Sequence, residues 1–273
     1  MKRIELVKVQ HNKKVGDTCT DIRPNITEDV ILMENGRAIG FYIRDVRTHS
    51  DKLGKFLDIA NMEFRSKRVP KSVMTRSSAL NARREGGKGV EQYSTIIGSV
   101  PPKPHMRRPY PTRSSVHSVK SADMFVKSML LAAIESENLI KQLTPELYEL
   151  QIKTIADNVP EQWRFSKGFT SSISNYNIAA AYHIDTANLH PCLNVILSKK
   201  ENAYGGDLSV PDYDAVFFSG DYSMVVYPAW KSLHGVTPIV PTALNGYRNS
   251  FVFYPLKAFK YDEIQDKNEV KNQ

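Results

Sequence analysis

Short apolar runs separated by turn residues dominate the chain from Thr170 onward, and no helical periodicity lies between them. Alternating or continuous apolar runs of this length are typical of strands. The predicted strands are Ile173–Asp185, Leu193–Lys199, Leu208–Pro211, Ala215–Phe218, Met224–Tyr227, Gly235–Val240 and Tyr247–Leu256. Successive strands without intervening helices favour a jelly-roll-like double sheet over a βαβ fold.

Two helices are predicted before these strands. The first runs from Ser121, a suitable N-cap residue, to Leu143, with apolar residues repeating every three to four positions. The second begins at Thr144, with a proline at its first helical position, and stops at Pro160. Their apolar stripes are expected to pack behind the sheet, which gives an α+β class overall.

The N-terminal region is predicted to open with a strand over Ile4–Val9, followed by a hairpin over Val30–Ile43. Asn35-Gly36 at the hairpin tip suits the two positive φ angles of a type I′ turn. A short helix is expected over Lys52–Met62.

Positive charge is concentrated between residues 64 and 113. This segment has twelve Lys or Arg against two acids, although the whole chain has a net charge of only +8. Its Gly, Pro and Ser content predicts mostly loop. A solvated basic surface is one interpretation, and a nucleic-acid-binding surface is the other; the asymmetry of the charge favours the second.

Composition limits the class of protein. The 273 residues are 41% hydrophobic, enough to bury a core, and no apolar run approaches the roughly 18 residues that span a bilayer. The N-terminus shows no signal-peptide pattern, and the two cysteines, Cys19 and Cys192, have no metal-ligand spacing. We therefore expect a cytoplasmic protein with reduced thiols, no membrane partner and a monomeric state.

A candidate metal site begins at His183. In a strand, His183 and Asp185 share one face, because alternate side chains point the same way. If His234 returns to the same point from a neighbouring strand, the three make a facial triad of two histidines and one carboxylate. Such a triad leaves open positions on Fe(II).

A candidate anion site follows in the last predicted strand. Arg248 and Ser250 also share a face, and Arg248 lies in an otherwise apolar stretch, where an unpaired cation would cost several kcal/mol. A guanidinium and a hydroxyl could hold the far carboxylate of 2-oxoglutarate. A structural salt bridge is the alternative.

The order His-x-Asp, His, Arg-x-Ser resembles the Fe(II)/2-oxoglutarate-dependent oxygenases. Within them the chain is most similar to the TET/JBP group, in particular its phage-encoded members, which oxidise the methyl group of 5-methylcytosine or thymine in DNA. The similarity lies in residues 182–188, 205–211, 234–238 and 247–251 and extends over Ser121–Leu256. The animal group's cysteine-rich zinc module is missing.

The resemblance implies a double-stranded β-helix core and Fe(II), 2-oxoglutarate and O2 as cofactors and co-substrate. It implies that Asn188, three residues after the metal aspartate, contacts the target base. Ala187 replaces a histidine of the animal enzymes, so thymine stays open beside the favoured 5-methylcytosine, with 5-hydroxymethylcytosine as the expected product. A phage-encoded protein would work in the host cytoplasm.

Other site residues are predicted from their position. Asn177 and Asn194 flank the site on adjacent predicted strands and are expected to assist at the other end of the co-substrate. Arg107, Arg108 and Arg113 are expected to grip DNA phosphates.

The predicted organisation is an N-terminal region over 1–118, which includes the basic segment and packs on the core, an oxygenase core over 119–258, and a polar tail over 259–273. Two alternatives remain: an oxygenase acting on a free nucleotide, a protein side chain or a small metabolite, and a non-catalytic jelly-roll protein that binds nucleic acid or has a structural role.

Overall fold

The computed structural model describes residues 1–78, 91–103 and 110–261. In these ranges the helices are α1 (Asp51–Arg65), α2 (Asp123–Leu143) and α3 (Pro145–Asn158). The strands are β1 (Lys2–Glu5), β2 (Val30–Glu34), β3 (Arg37–Ile43), β4 (Arg76–Ser78), β5 (Gln92–Val100), β6 (Thr112–Arg113), β7 (Ser171–Tyr176), β8 (Ala180–His183), β9 (Asn194–Glu201), β10 (Ala203–Gly205), β11 (Leu208–Val210), β12 (Ala215–Phe217), β13 (Met224–Tyr227), β14 (His234–Val236), β15 (Ile239–Pro241) and β16 (Tyr247–Tyr254).

Two sheets face each other. The major sheet has the order β1-β2-β3-β13-β9-β16-β7-β5-β4, with β6 paired to β5, and the minor sheet has the order β12-β11-β14-β8. Apolar side chains of both sheets, such as Phe217 from the minor sheet and Tyr42 from the major sheet, form one core between them. The predicted double-stranded β-helix core is confirmed.

The helices cover the other face of the major sheet. Alternation along β9 and β16 produces this arrangement, because Leu197 and Phe251 point toward the helices and join a second apolar core with residues of α1 and α2. The intervening residues of the same strands point away from the helices. They include Ile196 and Ser250, which line a large cavity between the two sheets.

Several strand predictions need correction. The predicted strand Ile173–Asp185 is two strands, β7 and β8, which belong to different sheets. The chain leaves the major sheet at Asn177, whose φ of 54° lies in the left-handed region that ends regular strands. The predicted strand Gly235–Val240 is likewise β14 and β15, separated by Thr237-Pro238. The first strand is displaced toward the N-terminus and ends at Glu5 instead of Val9.

The prediction of mostly loop for residues 64–118 misses β5, a nine-residue strand buried in the major sheet between β7 and β4. Its hydroxyl side chains bond to groups outside the strands: Thr95 Oγ1 donates to the Val73 carbonyl at 3.1 Å, and Ser99 Oγ donates to the carbonyl of Trp163 at 2.9 Å. The sequence did not reveal this strand because the segments on both sides of it are rich in Gly, Pro and Arg, which favour a loop prediction.

The predicted helices are present, but their caps differ. Ser121 Oγ donates to the Arg68 carbonyl instead of capping α2, and Thr144 Oγ donates to the Ile140 carbonyl instead of capping α3. In the described part of the chain, no helix is both long and apolar enough to cross a membrane.

The two ends of the described chain pack on the core. The hairpin prediction is accurate: Asn35 and Gly36 have φ of 50° and 73° and connect β2 to β3. β1, β2 and β3 lie in the same sheet as the core strands. Phe259, placed by the sequence at the start of a polar tail, is fully buried against Ile155 and Val159, and residues 262–273 lie outside the described part.

Candidate metal centre and co-substrate cavity

The two histidines of the predicted triad lie opposite each other on neighbouring strands. His183 ends β8, His234 begins β14, and the two residues are direct partners in the antiparallel register. Asp185 is not on the strand: it lies two residues past the end of β8, where its backbone N–H donates to the Ala229 carbonyl at 3.2 Å. The turn after β8, rather than strand alternation, therefore brings its carboxylate back to the histidines.

The potential ligand atoms converge. Nε2 of His183 lies 3.5 Å from Oδ1 of Asp185, and Nε2 of His234 lies 3.9 Å from Oδ2. One ligand atom from each of the three residues lies within 4.8 Å of the others. Because N and O ligands bind first-row metal ions at about 2 Å, small side-chain rotations suffice to bring all three onto one ion.

Hydrogen bonds orient both imidazoles for metal binding through Nε2. Nδ1 of His183 lies 2.8 Å from the Ala181 carbonyl, and Nδ1 of His234 lies 3.0 Å from the Ser232 carbonyl. A carbonyl only accepts, so each Nδ1 carries a proton, and in the neutral form of each ring Nε2 would present its lone pair to the site. Burial, with the neighbouring His183, also lowers the pKa of His234 and favours its neutral form.

Two asparagines support the carboxylate. Asn194 Nδ2 donates to Asp185 Oδ2 at 3.0 Å, and Asn194 Oδ1 accepts from Asn188 Nδ2 at 2.7 Å. Both asparagines are buried. Asn194, predicted to assist the co-substrate, is thus placed to orient a metal ligand. Asn188, predicted to contact the base, lines the cavity, with its amide nitrogen already engaged by Asn194.

A cavity of about 950 Å³ extends from the triad toward Arg248. Its lining includes the three triad residues, Arg248 and Ser250. The Arg248 side chain is only 3% exposed, and its Nε and one terminal nitrogen donate to Ser219 Oγ and Ser198 Oγ, both at 3.2 Å. Among the described residues it has no ion-pair partner, so the cavity holds a buried cation without a directly paired anion.

Two further charged residues surround this guanidinium. Lys200 is the direct β9 partner of Arg248 on β16, and burial together with Arg248 lowers the pKa of Lys200 to about 8. Asp207 is also buried; its Oδ1 accepts from the Ser219 backbone N–H, and burial raises its pKa. Burial lowers the pKa of Arg248 itself to about 10. Two cations and one carboxylate leave an excess positive charge, which a carboxylate ligand would neutralise.

The remaining predicted residues are placed differently. Asn177 is not among the residues that line this cavity; its amide accepts from the Arg248 backbone N–H and donates to the Glu91 carbonyl. A terminal nitrogen of Arg113 donates to the Gln162 and Arg164 carbonyls. Arg107 and Arg108 lie outside the described residues.

Sequence reasoning missed four residues around the site: Ser198, Lys200, Ser219 and Tyr227. Alternation from Asn194 puts Ser198 and Lys200 on the inward face of β9, and a lysine at an inward position was the signal that could have found it. The Tyr227 ring meets the His234 ring edge-on at 5.6 Å, and its buried hydroxyl has no hydrogen-bond partner in the described ranges.

The donor set fits Fe(II). Two imidazoles and one carboxylate on the same side of an open cavity are the ligands of a facial triad, whose other positions stay free for small ligands. The buried guanidinium at the other end of the cavity fits a carboxylate. The residues therefore fit both cofactors predicted from the sequence, Fe(II) and 2-oxoglutarate.

Comparisons with known proteins give structural similarity alone. No family model matches the chain, and no curated protein matches its sequence. The structure of NgTET1 in complex with 5mC DNA is similar over 96% of this chain and 90% of that chain, with 13% identity and a TM-score of 0.56. This similarity shows that the two share a fold over nearly their whole lengths.

Two further structures overlap in part. A 2OG-Fe(II) oxygenase family oxidoreductase from Burkholderia pseudomallei is 12% identical, over 64% of this chain and 71% of that chain, with a TM-score of 0.36. JOX2 in complex with 2OG, Fe and JA is 11% identical, over 75% of this chain and 64% of that chain, with a TM-score of 0.38.

Proposed function

We propose that this protein is an Fe(II)- and 2-oxoglutarate-dependent oxygenase that hydroxylates the 5-methyl group of a pyrimidine in DNA. One observation carries the oxygenase part. His183, Asp185 and His234 converge in the same cavity as Arg248, a buried residue that has no ion-pair partner in the part of the chain that the structure describes. The ligand atoms at one end fit a metal ion, and the charge at the other end fits an anion.

Each residue then has a defined task. The triad would hold the metal, with Asn194 fixing the orientation of the Asp185 carboxylate. Arg248 and Ser250 would hold the far carboxylate of 2-oxoglutarate, with Ser198 and Ser219 fixing the guanidinium. When bound, Fe(II) would couple the oxidation of 2-oxoglutarate by O2 to succinate and CO2 with insertion of the second oxygen atom into a methyl C–H bond.

Three observations support DNA as the substrate. The fold is shared with NgTET1, whose structure contains 5mC DNA. The segment 64–113 carries a net charge of +10, which suits a phosphate backbone. Asn188 and Lys103 line the same cavity as the triad, and an enzyme that acts on a flipped base needs both base contacts and cations around its pocket. The favoured base is 5-methylcytosine, with thymine as the second candidate.

The experiment is reconstitution without oxygen using Fe(II) and 2-oxoglutarate, followed by exposure to air with DNA that contains 5-methylcytosine and thymine. Mass spectrometry of the digested nucleosides should show one added oxygen on one of these bases. His234→Ala should abolish the product. His190→Ala is the matched control, because His190 is exposed, stacks on Trp230 with 4.0 Å between ring centroids, and does not line the cavity.

The outcomes separate the alternatives. Succinate without a modified nucleoside would exclude these two bases and direct the search to a free nucleotide, a protein side chain or a small metabolite. If neither succinate nor modified nucleoside forms, and Mn(II) with 2-oxoglutarate does not raise Tm, the non-catalytic alternative is favoured.

A further inference from the structure

A tight turn of the N-terminal segment forms part of the entrance to the cavity. The Asp17 backbone N–H donates to the Lys14 carbonyl at 3.1 Å, and the Asp17 carboxylate accepts from the Lys14 backbone N–H at 2.8 Å. Gly16, at the tip, has φ of 93°, a conformation that only glycine adopts without strain. The turn is therefore closed by bonds within residues 14–17, and Val15 is held at its tip.

The turn is attached directly to the strand that carries a metal ligand. The Gly16 N–H donates to the Tyr182 carbonyl at 2.8 Å, and the Tyr182 N–H donates to the Asp17 carbonyl at 2.9 Å. Tyr182 is adjacent to His183. Below the turn, Cys19 packs with Tyr182 and Leu233 in a small buried cluster. The position of the tip is thus fixed relative to the metal site.

The tip presents an apolar side chain and a cation. Val15 is 67% exposed, yet it and Gly16 line the same cavity as the triad. The neighbouring Lys14 side chain is exposed and makes no ion pair with any residue in the described ranges. Another part of the cavity lining is formed by Thr75, Ser94 and Lys103, and Lys103 also has no ion pair there. The cavity lining thus includes Val15, which is next to Lys14 in the chain, and in another part it includes Lys103.

We propose that this turn enters the DNA duplex when the target base leaves the stack: Val15 packs in the space that the base vacates, while Lys14 and Lys103 bind the flanking phosphates. The inference rests on the proposed function. Extruding a base loses its stacking and pairing, and an apolar side chain inserted into the gap offsets part of that loss. The phosphate contacts hold the strand across the entrance.

Insertion of Val15 as a wedge helps only where a base must leave a stacked duplex. The proposal is therefore tested by comparing duplex and single-stranded forms of one DNA sequence. In Val15→Asn, the ratio of kcat/KM for duplex to that for single-stranded DNA should fall about tenfold, because an unpaired strand presents its base already unstacked. Val7→Asn is the matched control: Val7 is 66% exposed in the same N-terminal segment but does not line the cavity. Its ratio should equal that of the wild type.

The lysines have a different signature. Lys14→Gln and Lys103→Gln should weaken binding of both DNA forms and each reduce the slope of log affinity against log salt by about one. Lys52→Gln, an exposed lysine of α1, should leave the slope unchanged.

The outcomes distinguish this inference from the proposed function. If the wild type hydroxylates DNA and Val15→Asn keeps the wild-type ratio, the wedge is refuted and the oxygenase stands. Unchanged salt slopes in both lysine variants would refute the phosphate contacts. If the wild type modifies neither form of DNA, the proposed function fails, and this inference fails with it.

Discussion

The buried guanidinium of Arg248 gives a prediction in which protein stability and ligand binding respond differently. The buried residues Arg248 and Asp207 and the half-buried Lys200 form a group with an excess positive charge. Replacing Arg248 with Met removes that excess and keeps most of the side-chain volume. Because removing a buried charge without an ion-pair partner is rarely costly, we expect the free energy of unfolding of the ligand-free protein to stay within about 1 kcal/mol of the wild type.

Binding of 2-oxoglutarate should respond strongly. Losing one partner of a buried charge-assisted hydrogen bond costs about 2–5 kcal/mol. A value of about 3 kcal/mol corresponds to a roughly 100-fold rise in Kd, since 1.4 kcal/mol is a factor of ten. The ligand-dependent rise in Tm should therefore disappear in Arg248→Met at 2-oxoglutarate concentrations that saturate the wild type.

Calorimetry and thermal unfolding without oxygen, with Mn(II) in the metal site, measure both quantities. Arg65→Met is the matched control, because Arg65 stacks on the Tyr247 ring at 3.9 Å and does not line the cavity. Wild-type affinity for 2-oxoglutarate in Arg248→Met would show that this residue does not hold the co-substrate. A loss of several kcal/mol in the ligand-free protein would show instead that Arg248 is a structural residue.

Three further predictions concern the same cavity. Affinity for 2-oxoglutarate should fall as pH rises between about 7 and 9, because Lys200, with a pKa of about 8, loses the positive charge that attracts the carboxylate. Affinity of the wild type that does not change with pH, or the same fall in Lys200→Met, would contradict this. Asn194→Ala should weaken Mn(II) binding about tenfold in a direct titration, because the metal-binding carboxylate loses a hydrogen-bond donor, and unchanged affinity would remove its orienting role. Gly206→Ala should lose about 1–2 kcal/mol of stability and raise KM for 2-oxoglutarate severalfold, because a Cβ there would lie 3.2 Å from Arg248 Cδ. Gly36→Ala is the control: Gly36 has nearly the same φ but open space around its Cβ, so this variant should lose stability without a change in KM. An equal effect on KM in both variants would refute the contact with Arg248.

That His183, Asp185 and His234 converge could be predicted from the sequence, because two of them are only two residues apart and the third lies next to another predicted strand. For His183 and His234 to meet, their two strands need only be neighbours, and in the structure the two residues are direct partners. Asp185 reached the right place by a different route, from a turn rather than from a strand. Spacing alone could not distinguish the two, because both bring residues i and i+2 to one side.

The surroundings of Arg248 could not be predicted in the same way. Ser198 and Lys200 lie beside it only because β9 pairs with β16 in one particular register, and Ser219 reaches it from a loop. Register depends on the packing of the whole sheet, which a single strand does not specify. The strand β5 was missed because its partners are far away in sequence: its backbone pairs with β7, and Ser99 Oγ donates to the Trp163 carbonyl.

The proposed reaction is tested most directly by measuring succinate and hydroxymethylated base in the same incubation of protein, Fe(II), 2-oxoglutarate, O2 and DNA containing 5-methylcytosine and thymine. Each turnover consumes one 2-oxoglutarate and adds one oxygen atom to one methyl group. We expect equal amounts of the two products with the wild type and neither with His234→Ala. Modified base formed without 2-oxoglutarate, or with undiminished yield in His234→Ala, would contradict the assignment of the metal centre.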